Sequence, residues 1–257
     1  MNWDEQIAAV SPHVVKIATP SGHGTGFLAF YSNNGDWCGI ATAAHVVAHA
    51  DEWEQPIRIT HDASGTSVFY STEGRVIFVD KNTDSAIVLC HKRELKLPES
   101  PIALLPMEQP CGLGVEVGWL GYPGILPNNL CFFSGKVSAR LDGAHAYLID
   151  GVAINGVSGG PVFHHSPSEK KIHFIGCISA YVPNRATGET LPGLLRAQDV
   201  SEFHSVLAFV RSMEEARAKK AQIEAEQRPK ETAAELPGQA GTAPTATTPM
   251  TAPRRGR

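Results

Sequence analysis

Three short stretches of the 257-residue chain carry side chains whose combined chemistry is attack on a carbonyl carbon. Ile40-Ala41-Thr42-Ala43-Ala44-His45-Val46-Val47 is an apolar run that reaches a histidine through small residues. Asn82-Thr83-Asp84-Ser85-Ala86-Ile87-Val88-Leu89 sets an acid at the mouth of a run suited to burial, and Asn155-Gly156-Val157-Ser158-Gly159-Gly160-Pro161-Val162 holds a serine in a glycine-rich turn. A serine hydroxyl is a weak nucleophile near neutral pH and needs a base within hydrogen-bond reach, itself oriented by a carboxylate. His45 and Asp84 are of the types that fill those roles. The glycines answer a separate need. An oxyanion forming on the attacked carbonyl requires backbone N–H donors, and a turn free of Cβ crowding can aim those of Gly156 and Ser158 into one small hole.

The elements that must position these residues are short strands. Between residues 12 and 92, runs rich in β-branched and aromatic residues span His13 to Ala18, Thr25 to Tyr31, Trp37 to Val47, Pro56 to Thr60, Thr66 to Tyr70, Arg75 to Val79 and Ser85 to Cys90, separated by turn clusters such as Ser32-Asn33-Asn34-Gly35-Asp36. Lys92 to Gly112 carries four prolines and reads as a connection. A second set follows: Val115 to Leu120, Leu130 to Ala139, Ala146 to Ile149, Pro161 to His164, Ile172 to Ala180 and Leu194 to Ala197. Two clusters of short strands need closure or stacking to hide their edges, which predicts an all-β chain of two antiparallel six-stranded barrels, at about 12–92 and 111–200.

The pattern changes at residue 201. Asp199 with Glu202 has the form of a capping box, and Phe203, Val206, Leu207, Val210 and Met213 recur on one helical face, so 201–228 is expected as a C-terminal α-helix whose first turns dock. Glu214, Glu215, Arg217, Lys219 and Lys220 make the later turns charged, and Pro229 stops them. Residues 229–257, dominated toward the end by Pro, Gly, Thr and Ala, are expected to be a disordered tail.

Composition narrows the function classes. With 22 basic and 26 acidic residues there is no broad positive field to hold a nucleic acid, and no apolar run approaches the ~18 residues of a membrane span. Five cysteines without a C-x-x-C pair fit free thiols, and an N-terminus without a positive start and apolar run lacks a secretory signal, so a cytoplasmic location is expected.

The chain resembles the trypsin-like, chymotrypsin-fold serine peptidases, most nearly the bacterial branch that includes the HtrA-type proteases. The residues that carry the likeness are Thr42-Ala43-Ala44-His45-Val46-Val47, Asp84-Ser85-Ala86-Ile87-Val88-Leu89 and Gly156-Val157-Ser158-Gly159-Gly160-Pro161-Val162, in the family's order, with Gly24-Thr25-Gly26-Phe27-Leu28 similar to its early barrel strand. The likeness spans roughly residues 12–200 and implies a peptidase domain over 1–200. It implies Ser158 as nucleophile, His45 as base and acid, Asp84 as orienting carboxylate, the N–H groups of Gly156 and Ser158 as oxyanion hole, and Ser179 as support for the aspartate. It also places Val152 at the base of the substrate pocket and Ala180 and Tyr181 in its wall, which implies a preference for aliphatic or small apolar side chains before the cleaved bond. No cofactor and no metal is implied; the expected partners are a protein or peptide substrate and a regulatory partner at the C-terminal helix or tail. The chain departs from the family where Val157 replaces the aspartate of members activated by cleavage or the asparagine of other bacterial members, and where a helix and tail stand in place of a PDZ module.

Each residue also has a plainer reading. A lone glycine-flanked serine is usually a turn, a lone histidine a core residue and a lone aspartate a strand-edge cap; the three in order outweigh those readings. Gly156 to Gly160 matches the G-x-S-x-G elbow of α/β-hydrolases, but that elbow opens a helix and precedes its acid and histidine, whereas Pro161-Val162 leads into a strand. Gly22-His23-Gly24-Thr25-Gly26 lacks the spacing of a dinucleotide loop, and His164, His165 and His173 lack a companion ligand set. Cys177 reads as a small buried residue. A second class stays open: a trypsin-fold binding module whose catalytic residues are silent or gated by a ligand.

Overall fold

Strands buried almost throughout, Gly22–Tyr31, Trp37–Ala43 and Ser85–His91, form the centre of the first half, and strands that alternate buried and exposed positions, Ile57–His61 and Thr66–Tyr70, lie toward one edge. The computed structural model describes residues 2–93, 95–152, 154–166, 168–183 and 190–227. A helix, α1 (Trp3–Val10), precedes β1 (Val14–Thr19), β2 (Gly22–Tyr31), β3 (Trp37–Ala43), α2 (Ala44–Glu52), β4 (Ile57–His61), β5 (Thr66–Tyr70), β6 (Arg75–Asp80) and β7 (Ser85–His91). The strands form one antiparallel sheet in the order β5-β4-β1-β2-β3-β7-β6. Val68 and Tyr70 of β5 turn inward with Ile57 and Ile59 of β4, onto a core shared with Ile17, Ile40 and Val88.

Two features differ from the expected first barrel. It has seven strands, and among the described residues its edge strands β5 and β6 do not pair, leaving the sheet open as a half-barrel. Arg75, 5% exposed, begins β6 and its guanidinium donates to the carbonyls of Tyr70 (2.8 Å), Gln55 (2.7 Å) and Ala50 (3.3 Å). A buried side chain thereby satisfies carbonyls at the end of β5, in α2 and in the loop after it. The strand expected to run to Val47 ends at Ala43, and α2 begins at the next residue. Val47 and Ala50, three apart, face the core from the helix, and Asp84 accepts the N–H groups of Ala44 and His45 that the first helical turn leaves free.

The second half closes. β8 (Glu116–Gly121), β9 (Cys131–Leu141), β10 (Ala146–Asp150), β11 (Pro161–Ser166), β12 (Lys171–Pro183) and β13 (Thr190–Asp199) form a six-stranded barrel in the order β10-β13-β12-β11-β8-β9. Together with the half-barrel this is a chymotrypsin-like fold. The proline-bearing connection contributes one parallel bridge, Leu104 to Phe174. The helix α3 (Ser201–Gln227) starts where Asp199 Oδ1 accepts the Ser201 N–H at 2.9 Å. Phe203, Val206 and Val210 are buried, and Phe203 meets Phe27 edge-on, joining a core that runs from β2 through Trp119 and Phe174. Met213, expected on the docked face, is 44% exposed. The compact unit that holds both sheets extends to Arg217; from Ala218 the helix belongs to a separate unit, with a Lys220–Glu224 pair one turn apart. The expected tail, 229–257, lies outside the described residues.

Candidate active site

The last rung of the β3–β7 ladder pairs Ala43 with Ser85, so the residues just beyond each strand meet. Ala44 N–H donates to the Asp84 carbonyl at 3.0 Å, and His45 N–H donates to Asp84 Oδ1 at 3.0 Å. The imidazole Nδ1 of His45 lies 2.9 Å from Oδ2 and 3.1 Å from Oδ1 of the same carboxylate. An ionised carboxylate only accepts, so Nδ1 carries a proton, and in the neutral imidazole the Nε2 lone pair is the one left to accept. Ser179, on β12, donates its hydroxyl to Asp84 Oδ2 at 2.6 Å. Burial by itself would raise the pKa of Asp84, but the hydrogen bonds from His45 and Ser179 outweigh it and hold the carboxyl below its ordinary value. Asp84 adopts a left-handed φ of +52°, a conformation that aspartate tolerates better than most residues.

Ser158 lies between β10 and β11 in two successive tight turns. Val157 N–H donates to the Ile154 carbonyl at 3.0 Å and Gly160 N–H to the Val157 carbonyl at 2.9 Å. The third residues of these turns, Gly156 (φ +93°) and Gly159 (φ +80°), have the positive φ that such turns require. The carbonyls in the turns are tied down. Asn155 accepts from Gly124 N–H at 2.6 Å, Gly156 from the Thr25 hydroxyl at 2.8 Å, Val157 from Gly160 and Ser158 from Thr25 N–H at 2.8 Å. In a trans peptide the N–H points opposite to the C=O. Fixing the carbonyls of Asn155 and Val157 therefore turns the N–H groups of Gly156 and Ser158 the other way, and neither has an acceptor among the described residues. Val157 is fully buried against Gly121, where an added Cβ would come within 2.8 Å of Val157 Cγ1, so an apolar residue suits the position that carries a polar one elsewhere in the resembled family.

Two hollows meet at this point. One, of about 230 Å³, is lined by His45, Gly156 and Ser158 with Ser21 and His23 of β2 and its approach. The other, of about 520 Å³, is lined by His45, Asp84 and Ser158 with Ser179, Ala180 and Lys81. The structure thus brings His45, Asp84, Ser158, Gly156, Ser179 and Ala180 together. Among the described residues no hydrogen bond joins Ser158 to His45; such bonds are commonly long until a substrate is seated. Val152, expected at the floor of the pocket, is 53% exposed and lines neither hollow. The preceding Gly151 lies flat on the Trp119 ring, which fills the inner side of the chain there. Tyr181 pairs with Leu195 in β12, and its side chain lies outside the described residues. Thr25 and Thr42 lie in stretches that carry the family likeness, but sequence reasoning gave no role to Thr25 or Gly124, which bond the serine turn, or to Thr42, which bonds the Thr25 carbonyl; the threonine between two glycines in Gly24-Thr25-Gly26 was the signal that could have marked the first.

Comparison with known proteins bears on the family and the fold. The profile of the trypsin-like peptidase domain matches residues 24–168, more than half of the chain. No curated protein matches. Among solved structures, an inactive form of the protease Rv3671c, a Mycobacterium tuberculosis protein, is 22% identical with a TM-score of 0.55, over 79% of this chain and 91% of that one. The serine endoprotease from Yersinia pestis is 17% identical with a TM-score of 0.59, over 82% of this chain and 67% of that one. At these identities the structures speak for the fold, and the matched profile speaks for the family: the chain belongs to the trypsin-like peptidases.

Proposed function

We propose that the protein hydrolyses peptide bonds through an acyl-enzyme formed on Ser158. His45 Nε2 takes the hydroxyl proton as Ser158 Oγ attacks the carbonyl carbon, and later returns that proton to the leaving amine. Asp84 holds the imidazole in the required tautomer and steadies its positive charge, with Ser179 holding Asp84. The N–H groups of Gly156 and Ser158 receive the oxyanion; water then releases the acyl group with His45 again as base. The observation that carries the reading is the continuous bond chain Ser179 to Asp84 to His45, opening on the same hollow as Ser158. Ala180 and Ile178, small and aliphatic, line that hollow and favour a small or aliphatic side chain before the cleaved bond.

A fluorophosphonate probe tests this directly. At pH 8 it should modify Ser158 and leave Ser158→Ala and His45→Ala unlabelled. A wild-type protein that stays unlabelled with peptides present would instead identify a trypsin-fold binding module.

A further inference from the structure

β2 outruns one of its neighbours. β1 pairs with it from Gly22 to Phe27, whereas β3 pairs with it only from Phe27 to Tyr31, so among the described residues no strand lies beside one edge of β2 around Thr25. The serine turn of the other sheet occupies that edge. Thr25 is fully buried and every polar atom it has is engaged. Its N–H donates to the Ser158 carbonyl at 2.8 Å and its hydroxyl to the Gly156 carbonyl at 2.8 Å. The hydroxyl also accepts from Tyr122 N–H at 3.0 Å, and the Thr25 carbonyl accepts from Thr42 Oγ1 at 2.7 Å.

The two carbonyls that Thr25 grips belong to the peptide planes on either side of the one that carries the Ser158 N–H. Fixing both neighbours leaves that plane little freedom to rotate. The Gly156 grip also limits the adjacent plane, at a glycine whose φ of +93° would otherwise make reorientation easy. A buried strand position facing an apolar core is filled as well by valine, which has the same shape; a hydroxyl there serves the atoms it bonds. We propose that Thr25 is a positioning residue for the acylation step: from the first sheet, it holds the oxyanion-binding N–H groups of Gly156 and Ser158 toward the cleft. The inference rests on the proposed peptidase reading and names a residue that couples the two sheets in it.

Thr25→Val and Thr25→Ser separate this role from simple packing. The rate constant for fluorophosphonate modification at saturating probe should fall about 10- to 100-fold in Thr25→Val, below the ~10²- to 10³-fold known for outright loss of an oxyanion donor. The probe concentration giving half-maximal rate should hold, and Thr25→Ser should return the rate to within a few-fold of wild type. Amide hydrogen exchange at Val157, Gly159 and Gly160, whose N–H groups are bonded within or beside the turn, should quicken in Thr25→Val and stay slow in Thr25→Ser. A Thr25→Val protein that labels at the wild-type rate, or whose turn amides exchange as in wild type, overturns the proposal. A wild-type protein that never labels overturns the peptidase reading, and the exchange comparison then still decides whether Thr25 holds the turn.

Discussion

The two sheets hold their shares of the site by different means. His45 and Asp84 stand just beyond the ends of β3 and β7, strands paired without interruption from Trp37 with His91 to Ala43 with Ser85. Their separation is set by a ladder of backbone bonds, and the side chains need only complete it. Ser158 belongs to no strand. Its turn is fixed by bonds to β2 through Thr25, to β12 through Gly159 N–H and the Ile178 carbonyl, and to the segment after β8 through Gly124. A pair held by a ladder tolerates a change of side-chain chemistry with its backbone intact. A turn that takes its shape from three other elements should tolerate little change of either kind.

The largest expected effect comes from breaking the chemistry of the ladder-held pair. Asp84→Asn keeps a residue that accepts the left-handed φ of +52° and is nearly the same shape, but removes the charge that selects the His45 tautomer. Turnover should fall about 10⁴-fold, as with loss of the orienting aspartate elsewhere. The fold should survive with a lowered melting temperature, since the amide loses the charged hydrogen bonds that hold the carboxylate. Activity within tenfold of wild type would mean that Asp84 does not orient His45.

Next in size is a change to the turn's backbone. An added Cβ at Gly159 would lie 2.1 Å from Thr42 Oγ1 and 2.2 Å from the Thr25 carbonyl, on a backbone at φ +80°. Gly65 has a similar φ of +67°, and among the described residues nothing lies within 4 Å of a Cβ added there. Gly65→Ala carries only the left-handed penalty, about 1 kcal/mol, whereas Gly159→Ala adds overpacking and should cost roughly 2–5 kcal/mol in denaturant unfolding, with loss of probe labelling. Equal costs at the two glycines would erase the contrast between the tightly held turn and an ordinary one.

The same contrast marks what could be read from the sequence. Strands such as Thr66 to Tyr70 were legible because β-branched and aromatic residues cluster between turn residues, and His45, Asp84 and Ser158 because each follows or precedes a run of fixed type. The start of α2 was not, since Ala44-His45-Val46-Val47 fits a buried strand as well as a buried helix, and only the Asp84 acceptors decide between them. Helix α1 was also missed: its cap is the Asn2 side chain, and what makes it stable is Trp3 packing on Phe132 and Phe163, residues far along the chain. The open edge beside Arg75 and the exposed place of Val152 depend on packing of the same long range.

The smallest expected effect lies where the sheets meet, at Ser179. Its hydroxyl is one of the groups that hold the Asp84 pKa below the ordinary 3.8, against burial, which acts to raise it. A carboxylate with a lowered folded-state pKa contributes its stability in full above the unfolded value and loses it as pH falls through the folded one. Ser179→Ala removes part of the lowering, so the folded pKa moves up toward 3.8 and the contribution above that pH shrinks by roughly 1 kcal/mol. Thermal unfolding followed from pH 6 to pH 2 should show the variant less stable than wild type at the upper end, with the two curves converging at the acid end as both carboxyls protonate. Curves that stay parallel to pH 2 would mean that Ser179 supports Asp84 through packing alone, and that β12 lends the ladder-held pair no charge stabilisation.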